Sequence, residues 1–223
     1  MAEVNLFPLF LSLRVAATAT LLALLIGLPI AYYLAKSKGK LADLVDTVIT
    51  LPVVLPPTVL GYYLLVLLGR QSPIGQFVEQ QFNMTIVFTP TGAVIAALVV
   101  SIPFLIKSAK ASFASVDQNV VNAAKVLGRS DFNIFFTVIL PLAWRGIASG
   151  LTLSFARALG DFGATLMVAG SIPNETMTMP IAIYDALLAG NRELANLLVF
   201  IMTVTSIAVL YVINRLERRV VKG

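Results

Sequence analysis

The sequence predicts an all-α, polytopic membrane protein with five crossings, and three observations lead there. The first is composition: 58% of the 223 residues are hydrophobic and only 12% are charged, with a mean hydropathy of +0.91. A water-soluble chain of this make-up would lack the polar residues needed to cover its surface. The second is a set of five apolar stretches, each near the roughly 20 residues a helix needs to cross a bilayer. The third is charge placement, because the basic residues gather in alternate loops.

The stretches fall at about residues 10–34, 44–69, 88–106, 146–170 and 195–214, within a single domain covering residues 1–223. A cleaved signal carries its positive charge ahead of the apolar core. Here Lys36, Lys38 and Lys40 follow it, so the first stretch reads as a retained helix with its N-terminus outside. The second contains Pro52, Pro56 and Pro57, and the third contains Pro103. Each proline removes a backbone donor and leaves a carbonyl seeking another partner, which lipid cannot supply. Three prolines within six residues predict a distorted or broken helix, either a packing kink or the lining of a pathway, with Pro56 and Pro57 at its centre.

Orientation follows from the loops. Residues 35–43, the long loop 107–145 and the C-terminal tail carry most of the lysine and arginine, including Lys107, Lys110, Lys125, Arg129, Arg145, Arg215, Arg218, Arg219 and Lys222. Loops 70–87 and 171–194 hold only Arg70 and Arg192. The positive-inside bias therefore puts the N-terminus outside and the C-terminus in the cytoplasm. The formal charge of +5 is accounted for by these loops, and no basic groove with stacking aromatics suggests nucleic acid. Cysteine and histidine are absent, which excludes disulfides, thiolate chemistry, Cys/His metal sites and a histidine base.

The loop 107–145 carries the densest local signal. Asp117 is a candidate N-cap, and Val120, Val121, Ala124 and Leu127 then share one helical face. Gly128 suits a left-handed stop. Ser130 can cap a second short helix bearing Phe132, Phe135, Phe136 and Ile139, predicted to end before Pro141. Helix, glycine turn, helix is a surface for another protein or an amphipathic segment lying in the lipid interface.

Asn122-Ala123-Ala124, then Gly128, then Ile139-Leu140-Pro141 resembles the EAA loop of binding-protein-dependent ABC importer permeases. Two departures stand out: Asn122 replaces the family's acidic residue, and Ile139 falls one position late. The resemblance extends to LPVVLPPTVLGYYLLVLLGR (51–70), ASVDQNVVNAAKVLG (114–128) and SFARALGDFGATL (154–166), which look like the molybdate ABC transporter permeases of the ModB type. Tungstate and sulfate permeases share much of this pattern. The resemblance implies the type I ABC importer permease fold and a docking role for Asn122, Ala123, Ala124, Gly128 and Arg129. It implies a cytoplasmic ATPase as partner, an extracytoplasmic oxyanion-binding protein, and a second copy of the chain around a shared path. No G-x-x-x-x-G-K-[ST] loop occurs, so ATP and Mg are expected on the partner ATPase, with no cofactor bound by this chain.

The fourth stretch places Arg157 and Asp161 four residues apart on one helical face. Charges in the membrane are costly unless paired or watered. The pair is either a packing device or part of a pathway or gate. Asp161 is expected to neutralise Arg157 rather than meet an anionic cargo, and Thr165 is a candidate polar lining residue. Ala158-Leu159-Gly160-Asp161 also resembles the Gly-Leu-Gly-Asp motif of intramembrane aspartyl proteases. That chemistry needs two carboxylates in one site, and the Tyr184-Asp185 pair lies in an outer loop. A passive anion channel would explain the spans but leaves the loop pattern unexplained.

Overall fold

A computed structural model describes residues 5–220, which are helical apart from short connections, with no strand among the described residues. Val4 and the residues before it, and Lys222 of the basic tail, lie outside the described residues. Four helices are long and apolar enough to cross a membrane, or five when one sharply bent pair is taken as a single span.

The centre of the bundle is made by α1 (Phe7–Lys36), α5 (Pro90–Ala114) and α8 (Leu140–Leu159). Small residues decide how closely they approach. Ala16, Ala19, Ala23, Gly27 and Ala31 line the buried face of α1, and a Cβ on Gly27 would lie 3.1 Å from Ile106 Cγ1 on α5. On α8, a Cβ on Gly150 would come within 2.8 Å of Ser108 Cβ, while the Ser108 hydroxyl donates to the Gly146 carbonyl at 2.7 Å. In lipid, where apolar burial gains little, such backbone proximity and interhelical hydrogen bonding supply the association.

The second stretch is broken. It forms α2 (Lys40–Val54) and α3 (Pro57–Leu68), bent 115° to one another. Leu55 takes an extended conformation, as the residue before a proline prefers. Its N–H makes the last bond of α2, to the Leu51 carbonyl. Pro56 and Pro57 then offer no donors, so the ladder cannot continue. Pro29 and Pro103 lie inside α1 and α5 without ending either helix.

The third stretch begins where expected. Thr89 caps α5 through its hydroxyl, which accepts from Gly92 N at 3.3 Å. The helix then runs on to Ala114, so Lys107 and Lys110 sit on it and not in a loop. The fourth stretch differs more. A continuous helical rod runs from Asp131 to Leu159, built from α7 (Asp131–Ile134), a π-helical turn (Phe135–Ile139) and α8. The segment after Ser130 therefore does not end before Pro141, as the sequence suggested. The wide turn absorbs the proline: Leu140 N reaches back to the Phe135 carbonyl, where regular winding would press the Pro141 ring against its preceding turn.

The rod stops at Gly160, and a separate α9 (Gly163–Ala169) follows. Outside the bundle core lie α4 (Pro73–Phe82), α10 (Met179–Leu188) and α11 (Arg192–Val220). The last of these starts three residues before the expected fifth stretch and continues beyond its end.

Candidate functional site

Two places stand out, one at the basic end of the bundle and one where both broken spans meet. At the basic end, Asp117 caps α6 (Gln118–Val126), its carboxylate accepting from Asn119 N at 2.8 Å. Gly128 takes φ +75°. Its N–H bonds to the Lys125 carbonyl at 2.9 Å, and Arg129 N bonds to the Ala124 carbonyl at 3.2 Å. These two bonds close a Schellman motif, which satisfies the end carbonyls of α6 and reverses the chain. Ser130 then caps α7, accepting from Asn133 N, and Lys125 pairs with Asp131 across the turn at 3.0 Å.

The buried face of α6 is narrower than its spacing suggests. Val121 is 4% exposed and packs with Leu34, Phe113, Ile134 and Ile139, with Ala124 half-buried beside it. Val120 is exposed, and Leu127 is 80% exposed, contrary to the single face expected. The physical reason is angular: at about 100° per residue, Val120 and Leu127 lie roughly 100–120° around α6 from Val121, beyond the narrow strip that packs, and Leu127 keeps its helical bond to the Ala123 carbonyl. Asn122, Ala123, Gly128 and Arg129 are all exposed, and Asn122 accepts from Gln118 Nε2 at 3.3 Å. With Val126 at 87% exposure, the tip of the turn presents two bare apolar side chains, Val126 and Leu127.

At the second place, α3 packs directly on α9. A Cβ on Gly61 would sit 2.7 Å from Met167 Cβ and 2.9 Å from Ala164 Cα, and a Cβ on Gly163 would sit 3.1 Å from Pro57 Cβ. The two interrupted spans therefore meet at their interruptions. Pro56 and Pro57 remain exposed on the chain's surface.

Asp161 lies in the gap between α8 and α9 and is 3% exposed. One carboxylate oxygen pairs with Arg157 Nη1 at 3.2 Å. The other accepts from Thr165 N at 2.9 Å and from the Thr165 hydroxyl at 2.8 Å. The first turn of α9 has orphan N–H groups, and a carboxylate there is favoured by capping and by the helix dipole. Asp161 thus ties the end of α8 to the start of α9, while the Arg157 side chain stays 27% exposed. Phe162 packs on Tyr184 of α10, with ring centroids 5.0 Å apart. Asp185, however, accepts from the Ser171 hydroxyl, so the two carboxylates have separate partners and do not form a protease-type dyad. No cluster of three acidic, histidine or cysteine side chains suited to a metal occurs among the described residues.

Sequence reasoning also missed an ion triad. Asp46 of α2 meets Lys107 at 2.7 Å and Lys110 at 3.3 Å, both on α5. An acidic residue inside the apolar run 44–69 was the available signal.

The fold and these sites define a helical membrane protein with an exposed glycine turn at its basic end and two interrupted spans packed together. Residues 23–222 match the family described as binding-protein-dependent transport system inner membrane component, and the chain belongs to that family. It is 36% identical to the molybdenum transport system permease protein ModB of Azotobacter vinelandii, over 98% of this chain and 96% of that protein. It is 42% identical to ModB of Escherichia coli (strain K12), over 78% of this chain and 76% of that protein. Among solved structures it resembles a chain from the inward-facing MetNI methionine ABC transporter, with a TM-score of 0.76, 16% identity and 99% coverage of both chains. That likeness concerns the fold, which is that of a type I ABC importer permease, in a multi-pass inner-membrane protein.

Proposed function

We propose that this chain is the permease subunit of an ATP-driven importer that carries molybdate, or the related tungstate, into the cytoplasm. The observation that carries the cargo assignment is the near full-length similarity to a molybdenum permease. Its partners in this reading are a cytoplasmic ATPase that binds ATP and Mg, an extracytoplasmic oxyanion-binding protein, and a second copy of itself. The N-terminus lies outside and the C-terminus in the cytoplasm, in keeping with the basic loops.

In this mechanism the ATPase grips the exposed turn formed by Asn122, Ala123, Gly128 and Arg129, with Ala124 beneath. Val126 and Leu127 supply apolar grip, since both side chains are bare in the isolated chain. ATP-driven movement biases the permease between two states by binding them unequally. The path runs beside Pro56, Pro57 and the joint of α3 with α9. Pro52 and Val53 carbonyls would normally bond the N–H groups of residues 56 and 57, which are prolines. Such unsatisfied backbone at membrane depth is tolerated in a water-filled cavity or against protein, not against lipid. Arg157, held by Asp161, places positive charge near this joint for an anionic cargo, and Thr165 orients Asp161 away from it.

The test is uptake into proteoliposomes containing this chain with its ATPase and binding protein. Transport should require ATP and all three components, with molybdate and tungstate competing more strongly than sulfate. Sulfate winning that competition would make this a sulfate-type permease. Flux without ATP or partners would establish a passive channel.

A further inference from the structure

The basic end of the bundle holds a cavity of about 360 Å³ between the end of α1, the end of α5 and α6. Its lining includes Tyr32, Lys36, Phe113, Gln118, Lys125 and Ile139, and no carboxylate. Two lysines from different helices therefore face a recess with no acid in its wall. Lys36 Nζ rests 4.5 Å from the centroid of the Tyr32 ring, which holds one ammonium at the recess by cation–π attraction. Tyr32 is in turn packed edge-on against Phe113 and Phe135, at 5.3 and 4.8 Å. Lys125 also pairs with Asp131, a side chain that is largely exposed and outside the lining. That exposed pair is weak and leaves other ammonium protons for a ligand.

The depth of the cavity selects among anions. It opens at the last turn of α1, directly after a 30-residue apolar helix, where aromatic rings and lysines mark the bilayer interface. Basic recesses between helices at this level suit anionic lipid headgroups. We propose that this cavity binds the phosphate of an anionic phospholipid headgroup, shared between Lys36 and Lys125, with the aromatic wall against the glycerol. One phosphate bridging the two lysines ties α6 to the end of α1, so the lipid stiffens the coupling turn. This rests on the membrane reading and is independent of the cargo.

The full chain is purified into nanodiscs of phosphatidylcholine with a minority of phosphatidylglycerol, and retained lipid is counted by native mass spectrometry. Wild-type protein should keep one phosphatidylglycerol. Lys36→Gln and Lys125→Gln should each lower that retention about fivefold, Lys125→Arg should preserve it, and Lys38→Gln, outside the lining, should leave it unchanged. Equal retention in all variants, or an equal loss in Lys38→Gln, overturns the site. Inorganic phosphate and molybdate are titrated separately into pure phosphatidylcholine discs. Lysine-dependent binding of either, without retention of phosphatidylglycerol, overturns the lipid assignment and makes the ligand a free oxyanion. Uptake activity enters none of these readouts, so a wrong cargo leaves the result standing.

Discussion

Thr165 donates both its backbone N–H and its hydroxyl to one carboxylate oxygen of Asp161, at 2.9 and 2.8 Å. The opposite oxygen holds Arg157, so a single buried acid serves two helices at once. Replacing Asp161 by alanine leaves the guanidinium without its counter-charge and α9 without its cap. A loss of about 3 kcal/mol follows from stranding one member of a buried pair. Asp161→Asn keeps an acceptor for Thr165 and should lose clearly less. Unfolding of both variants in detergent checks the order, and equal losses would show that the capping bond contributes nothing.

The contact of α3 with α9 depends on two missing side chains. Gly61→Ala puts a methyl group 2.7 Å from Met167 Cβ and 2.9 Å from the Ala164 backbone, so one helix must move. Overpacking of this kind costs about 1–3 kcal/mol. Gly163→Val, beside Pro57, should behave similarly. Thermal unfolding of the variants reads the effect, and wild-type stability for Gly61→Ala would mean that the helices separate freely.

Asp46 fastens α2 to α5, and Lys107 lies closer to it than Lys110 does. Ala42 is the buried residue of α2, with Val45 and Ile49 half-buried beside it, so this triad is the main polar attachment of the helix. Asp46→Ala should raise hydrogen exchange along α2 while leaving α5 protected. Lys107→Ala should have a larger effect than Lys110→Ala. The chain has no native cysteine, so disulfide cross-linking of engineered pairs between α2 and α5 provides an independent reading of the same motion.

At the glycine turn after α6, shape and surface can be separated by mutation. Gly128 has φ +75°, and a Cβ added there would meet nothing within 4 Å, so backbone conformation is the constraint and crowding is not. Gly128→Asn should be tolerated, and Gly128→Val should disrupt the turn. Leu127→Asp leaves the fold intact, because that side chain is 80% exposed, yet it should abolish stimulation of ATP hydrolysis by the loaded binding protein. Unchanged stimulation would remove Leu127 from the ATPase contact.

Much of this architecture was legible in the residues. Asp117, Gly128 and Ser130 take the capping and turning roles their chemistry suggests, because those preferences are local. Four of the five apolar stretches fall on long helices or the bent pair, while the fourth is divided between the end of one long helix and α9. Gly160 and Gly163 permit either close helix approach or local unwinding, so the break after Gly160 was legible only as one of two outcomes. The partners that make the break tolerable, Pro57 and Thr58 of α3, are about a hundred positions away in the chain. The i,i+4 spacing of Arg157 and Asp161 correctly suggested a pair. The bonds to Thr165 depend on a helix start that only the folded chain creates. Leu127 and Val120 share a broad apolar arc with Val121, and periodicity alone does not tell how much of that arc the neighbouring helices cover.

The uninterrupted rod from Asp131 to Leu159 has a mechanical consequence. At 1.5 Å per residue it is a lever about 43 Å long, starting at the glycine turn after α6 and ending beside Asp161. Each degree of tilt at its base sweeps the far tip through about 0.8 Å. A few degrees of rocking at its base would be magnified into a displacement of a few ångströms beside Asp161.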